Sequence, residues 1–138
     1  MNNPAGDAKP FDQLAVGDEL PVLRLTVSES ANERYWRAAG VTHPALSAGA
    51  LYPPIAANLT VLCFGQLCPE PVIQTRQRLE CERVQHAGVE LETTGRVVGR
   101  TTKRGREYVD IETIVRADGE TVWRSLVSFT PVATLGAS

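Results

Sequence analysis

The C-terminal half of the chain alternates between apolar and polar positions in four segments, at residues 72–84, 89–100, 107–116 and 121–132. Successive side chains of a strand point to opposite faces, so this alternation predicts four β-strands, each with one buried face. Turn-forming residues separate the segments at 86–88, 103–105 and 117–120. The Asp118-Gly119 pair in the last of these turns is a strong hairpin signal. The strands are therefore expected to be antiparallel neighbours.

The N-terminal half is typical of a short strand followed by a helix. Residues 19–27 are mostly apolar after the Gly17-Asp18 turn, which predicts a strand. A helix over roughly residues 28–39 is predicted next, because two Ser/Thr-x-x-Glu capping patterns, at 26–29 and 30–33, mark its start and Gly40 suits its C-terminal end. Its expected apolar stripe consists of Tyr35, Trp36 and Ala39.

A second helix is predicted to begin at Pro53-Pro54, after a loop over residues 41–52, and to end near Leu67. It is apolar on nearly every side, which is typical of a helix inside a protein. The four antiparallel strands can bury such a helix by curling around it, which predicts an α+β fold with a curved antiparallel sheet wrapped around a central buried helix. The free edges of this sheet favour a dimer that joins two sheets edge to edge.

Composition narrows the class of protein. The 138 residues fit one domain, with a loose arm expected over residues 1–10 and a single domain over 11–138. The 43% of hydrophobic residues is enough to form a core. The net charge of −2 makes a nucleic-acid partner improbable, because such proteins usually carry a basic excess.

The location expected for the chain is the cytoplasm, without membrane attachment. Its N-terminal residues lack the apolar segment of a signal peptide, and its longest apolar stretch is too short to span a bilayer. Cys63, Cys68 and Cys81 are an odd number without a Cys-x-x-Cys pair, so neither a disulfide framework nor a zinc site is expected. No metal ion or cofactor is predicted, since the sequence contains no recognisable motif for one.

Several segments, in their order and spacing, resemble the MaoC-like hydratase/dehydratase family. Residues 11–21 are similar to the opening of that family, and residues 35–40 to the end of its first helix. Residues 78–84 with Gly88, and the turns at 103–106 and 116–119, are similar to the strands and hairpins after its central helix. The resemblance implies the hot-dog fold, dimers, and binding of acyl thioesters of coenzyme A or acyl carrier protein. It also implies a lyase that reversibly adds water to a trans-2-enoyl thioester.

The catalytic pair of the family is missing from the matching positions. The family pattern is similar to Gly-Asp-x-Asn-Pro-Ile-His, whereas this chain reads Gly-Val-Thr-His-Pro-Ala-Leu over residues 40–46. Val41 therefore occupies the Asp position and Leu46 the His position, and neither side chain transfers protons. Moreover, no Asp or Glu occurs between Glu33 and Glu70.

The remaining candidates for the site are few. His43 is the candidate catalytic acid/base, since its ordinary pKa suits proton transfer, although a loop histidine is more often inert. Tyr52 and Asn58 flank the start of the second helix and are candidate substrate-binding residues; the alternative is a core aromatic and a polar anchor. Arg104, with the nearby Arg100, Lys103 and Arg106, is a candidate for binding coenzyme A phosphates, unless this turn is only a solvated surface.

Two functions stay open at this point. The chain is either an enoyl-CoA hydratase/3-hydroxyacyl dehydratase with a relocated acid/base, or a non-catalytic hot-dog subunit or acyl-CoA-binding module. The second interpretation predicts pairing with a catalytic hot-dog chain, and the sequence leaves open whether the dimer is a homodimer or a heterodimer. A ligand sensor or scaffold is a third alternative, because a fold alone is a weak guide to function.

Overall fold

A computed structural model of the chain describes residues 8–40, 44 and 48–132. Five antiparallel strands form one sheet in the order β1-β3-β4-β5-β2. The strands are β1 (Leu23–Thr26), β2 (Val72–Cys81), β3 (Glu90–Lys103), β4 (Arg106–Ala117) and β5 (Glu120–Pro131). Two helices, α1 (Glu29–Ala38) and α2 (Ile55–Leu67), lie between β1 and β2 in the chain. The predicted α+β architecture is confirmed.

The strand faces follow the sequence pattern closely. In β4, Val109, Ile111, Thr113 and Val115 are all buried on the face that contacts α2. The predicted Asp118-Gly119 hairpin connects β4 to β5, with both residues at positive φ. A two-residue type I′ turn requires positive φ at both of its central residues, and the right-handed twist of the strands favours this type of turn.

Two strands are shorter than predicted, and each has a local cause. The strand expected over 19–27 is regular only from Leu23 to Thr26, because Pro21 has no N–H to give to the ladder. The strand expected over 72–84 ends at Cys81. Beyond it, the N–H groups of Glu82 and Arg83 both donate to the carbonyl oxygen of Val122, which interrupts the alternation of the ladder.

Helix α1 is capped by Ser28 rather than by Thr26 or Ser30 of the two predicted capping patterns, and it buries different residues from those expected. The Ser28 hydroxyl accepts a hydrogen bond from the Ala31 N–H at 3.1 Å and thereby caps the first turn. Of the predicted apolar stripe only Trp36 is buried, since Tyr35 and Ala39 are exposed. The other buried residue of α1 is polar, Asn32.

Helix α2 packs against the concave face of the sheet on one side only. Its buried residues are Ile55, Ala56, Leu59, Thr60, Cys63, Phe64 and Leu67. Val61 and Leu62, by contrast, are 43% and 54% exposed. The predicted central helix is therefore confirmed, but in the single chain the sheet covers only one face of α2 and leaves the other open.

The core between α2 and the sheet consists of two clusters of buried hydrophobic side chains. Phe64 of α2 stacks on Phe129 of β5 in the first cluster, with ring centroids 4.5 Å apart. The second cluster, near the start of α2, contains Leu59 and Trp123. Burial raises the pKa of the Cys63 thiol to about 11, so this cysteine is a packed core residue rather than a nucleophile.

The N-terminal arm predicted over residues 1–10 lies largely outside the described residues. At its end, the Lys9 N–H donates to the Leu67 carbonyl oxygen at 2.7 Å, and the Lys9 ammonium pairs with Asp18 at 3.0 Å. The boundary at residue 10 stays a prediction. No helix in the described parts of the chain is long and apolar enough to cross a membrane.

Candidate functional site

An apolar cavity of about 270 Å³ lies between α1, the start of α2, the C-terminal end of β2 and the N-terminal end of β5. Its walls are formed by Trp36, Ala50, Leu51, Pro53, Cys81, Arg83, Val84, Gln85 and Trp123. A small, mostly apolar cavity of this kind suits the hydrocarbon part of a ligand.

Asn32 holds one wall of this cavity in place. Its side-chain amide donates to the Ala50 carbonyl oxygen at 2.9 Å, and its oxygen accepts from the Tyr52 N–H at 3.0 Å. The indole N–H of Trp36 donates to the same Ala50 oxygen, also at 2.9 Å. On the other side, the Leu51 N–H donates to the Gln85 carbonyl oxygen at 2.8 Å. The segment before α2 is thus fixed between α1 and the residues after β2.

The polar side chains of the cavity wall have structural partners. Arg83 forms an ion pair with Glu120 at 2.6 Å. The Gln85 side-chain oxygen accepts from the His86 N–H at 2.9 Å. Among the described residues of the wall there is no carboxylate and no histidine, so this part of the site has no group suited to general acid–base catalysis.

The start of α2 does not present free N–H donors in its first turn. Pro53 and Pro54 have none, and the N–H groups of Ile55, Ala56 and Ala57 donate at 3.0–3.1 Å to the carbonyl oxygens of Tyr52, Pro53 and Pro54. A helix N-terminus can bind an anion or a thioester oxygen only through donors that are unoccupied. These three donors are therefore unavailable for an oxyanion.

The predicted substrate-binding residues Tyr52 and Asn58 lie together, close to the cavity. Tyr52 packs edge-on against Trp36, with ring centroids 5.0 Å apart, and stacks on Tyr35 at 6.5 Å. The Asn58 amide donates to the Tyr35 hydroxyl at 3.2 Å. Both residues join α2 to α1, and the described cavity wall does not include either of them. A direct role for them with substrate stays a prediction.

His43, the predicted acid/base, lies outside the described residues, as do Val41 and Leu46. In the sequence, its segment lies between two residues of the cavity wall, Trp36 and Ala50. A catalytic role for His43 stays a prediction.

Arg104 is at the opposite end of the sheet. It is exposed in the β3–β4 turn, beside a second cavity lined by Lys103, Arg104, Arg106 and Tyr108. Arg100, expected in the same basic cluster, instead donates to the carbonyl oxygens of Phe11 and Leu14 and pairs with Glu107. Arg100 therefore stabilises the fold and does not belong to an exposed basic cluster. The structure does not bring Arg104 together with Tyr52 and Asn58 in one chain.

Comparison with solved structures decides the fold. The R-hydratase PhaJ1 from Pseudomonas aeruginosa matches with a TM-score of 0.73 at 18% identity, over 88% of this chain and 84% of that one. A MaoC-like dehydratase from Rhodospirillum rubrum matches with a TM-score of 0.70 at 19% identity, over 90% and 97%.

The chain has the hot-dog fold. A third hot-dog neighbour is the 3R-hydroxyacyl-ACP dehydratase complex HadBC from Mycobacterium tuberculosis, with a TM-score of 0.69 at 16% identity, over 80% of this chain and 95% of that one. The resemblance in fold to MaoC-like proteins, predicted from the sequence, is thereby confirmed. The sequence itself matches no protein-family model and no curated protein.

Proposed function

We propose that the chain is a hot-dog subunit that binds the acyl part of an acyl thioester of coenzyme A or acyl carrier protein and does not catalyse hydration by itself. The observation that carries the proposal is the apolar cavity, whose described wall contains no acid–base group. The occupied N–H groups at the start of α2 support it as well. The three free thiols fit the cytoplasmic location expected from the sequence.

A second candidate function is a divergent hydratase in which His43 transfers the proton. One observation favours it: Trp36 and Ala50 both border the cavity, and His43 lies between them in the sequence. The two candidates agree on acyl binding and differ only in turnover.

Acyl binding can be measured through the protein's own fluorescence, because its two tryptophans, Trp36 and Trp123, both line the cavity. Octanoyl-coenzyme A should change this fluorescence saturably. Each pair of added methylenes should tighten binding by about tenfold until the cavity is full, since a buried methylene contributes about 0.8 kcal/mol. Cys81→Phe, which fills the cavity, should weaken binding by about tenfold or more.

The matched control is Leu126→Phe, which adds the same ring at the exposed, outward-facing Leu126 of β5. It should leave the affinity unchanged, and free coenzyme A should cause no saturable change. Equal effects of Cys81→Phe and Leu126→Phe would show that the acyl group does not occupy this cavity.

We infer in addition that the chain pairs through β2 with a second hot-dog chain, either a copy of itself or a different one. β2 is a ten-residue edge strand, and most of its side chains are exposed. The open face of α2, with Val61 and Leu62, leaves further apolar surface uncovered. A long edge with unpaired backbone groups is usually covered by a partner, and HadBC is itself a complex.

A proline in β2 tests this pairing. The Glu82 N–H donates to Val122 of β5, and because donors alternate along a strand, the N–H of Gln77 points to the free edge. Gln77→Pro should therefore leave the chain folded and block pairing. If the partner is a second copy, sedimentation velocity should give about twice 15.0 kDa for wild type and Gln77→Ala, and 15.0 kDa for Gln77→Pro. A 15.0 kDa wild type would point to a different chain as partner, and a paired Gln77→Pro would contradict the use of this edge.

A further inference from the structure

The cations at one corner of the sheet form no ion pair with any carboxylate that the structure describes. In the described part of the chain, Arg24, Arg83, Arg96 and Arg124 each pair with a carboxylate, as do four other cations. No such pair includes the residues that we call the basic corner, which are Arg76, Lys103, Arg104 and Arg106. None of these four cations pairs with a carboxylate of the described residues, although the whole chain has a net charge of −2.

The basic corner surrounds two adjoining cavities. One, of about 520 Å³, is lined by Lys103, Arg104, Arg106 and Tyr108. Arg76 lines a neighbouring cavity of about 280 Å³, which shares Lys103 and Tyr108 with the first. The carboxylate in the second cavity, Asp110, accepts a hydrogen bond from the Ser128 hydroxyl at 2.5 Å. Positive charge therefore predominates around a space large enough for a small ligand.

The backbone of Arg104 is held in an unfavourable conformation. Arg104 and Gly105 form a two-residue turn with φ values of 54° and 78°, almost the same as those of Asp118 and Gly119 in the next hairpin. A turn of this type favours Asn, Asp or Gly at its first position, because other residues are strained in the left-handed region. The chain has the favourable Asp in one hairpin and an arginine in the other. Strain of this kind persists most often where the side chain has a function.

The basic corner is separate from the apolar cavity. Tyr108 and Val115 both lie on β4, and Val115 pairs with the cavity residue Trp123. The intervening strand is about 24 Å long at about 3.4 Å per residue. Tyr108 also alternates with the buried Val109, so it lies on the face of the sheet that points away from α2.

We propose that the basic corner is a binding site for a small ligand with two or more phosphate groups. Arginine suits this ligand class because its planar guanidinium donates two parallel hydrogen bonds to phosphate oxygens. Lys103 adds a compact charge, and the Tyr108 ring offers a surface for stacking. The site goes beyond acyl binding, since it uses no residue of the apolar cavity. The phosphates can belong to a free polyphosphate or to the nucleotide end of coenzyme A.

Calorimetric titration with inorganic pyrophosphate and with adenosine 3′,5′-bisphosphate tests the proposal. Wild type should bind at least one of them at one site per chain, and a rise from 50 to 200 mM salt should weaken the binding several-fold. Arg104→Asn removes the charge and introduces a residue that tolerates the turn conformation. This substitution should weaken the phosphate binding by about tenfold. Tighter binding of the bisphosphate would indicate the nucleotide end of coenzyme A, and tighter binding of pyrophosphate a free polyphosphate.

Arg34→Gln is the matched control, because Arg34 is an exposed cation of α1 that forms no ion pair with a described residue. It removes the same charge and should leave the affinity unchanged. Arg104→Asn should also raise Tm by roughly 2–6 °C through relief of the strained turn. The proposal would be overturned by absence of saturable binding in wild type, by equal weakening in Arg34→Gln, or by a lower Tm in Arg104→Asn.

Discussion

Phe64→Ala should lower the free energy of unfolding by about 3–5 kcal/mol, as large-to-small changes of buried phenylalanines do. Phe64 is 1% exposed and stacks on Phe129, so its removal leaves a cavity between α2 and the sheet. Several side chains of the same cluster, such as Val109 and Val127, belong to neighbouring strands of one ladder and have little freedom to fill that space. Urea unfolding at equilibrium measures the effect.

Leu62→Ala is the control for Phe64→Ala within the same helix. Leu62 is 54% exposed on the open face of α2 in the single chain, and alanine has the higher helix propensity. In the unpaired Gln77→Pro background, in which no partner covers this face, Leu62→Ala should therefore change the stability by less than about 1 kcal/mol. If both variants lost the same free energy, the division of α2 into a buried and an open face would be wrong.

Asn32→Leu should lower the free energy of unfolding by about 2–3 kcal/mol. The substitution keeps the volume but leaves the Tyr52 N–H without its acceptor, and it removes one of the two donors to Ala50. An unsatisfied buried polar group costs about 1–3 kcal/mol. The wall of the apolar cavity depends on these bonds, so the affinity for octanoyl-coenzyme A should fall as well.

Asn58→Leu provides the comparison for Asn32→Leu. Asn58 is exposed, and within the described residues its side chain makes one hydrogen bond, of 3.2 Å to the Tyr35 hydroxyl, so its loss should cost less than about 1 kcal/mol. A neutral result for Asn32→Leu would mean that Asn32 does not hold the cavity wall.

The fold could be predicted because local signals and the global arrangement agree. Alternation in β4 identified its buried face residue by residue, and Asp118-Gly119 identified its hairpin. The strand ends were less predictable. β2 ends where the N–H groups of Glu82 and Arg83 share the Val122 carbonyl oxygen as their acceptor, and Val122 is distant from both in the sequence. The open face of α2 was missed because apolar composition cannot distinguish burial within a chain from burial against a partner.

The site was predicted less well than the fold. Asn32 was missed, although its spacing of four residues from Trp36 puts both side chains on one face of α1 and could have indicated their shared acceptor. Arg100 was grouped with the basic turn because its partner Glu107 becomes a neighbour only across the hairpin. The cavity wall combines residues from four separate parts of the chain. No local pattern in the sequence predicts such an assembly.

The chain is expected to bind acyl thioesters without hydrating them. The most direct test follows the enoyl absorbance of trans-2-octenoyl-coenzyme A mixed with the purified chain, beside His43→Ala, at concentrations that saturate the tryptophan fluorescence change. We predict that the absorbance stays constant with both proteins while the ligand is bound. Loss of absorbance with wild type that disappears in His43→Ala would contradict the claim and would establish a hydratase that uses His43.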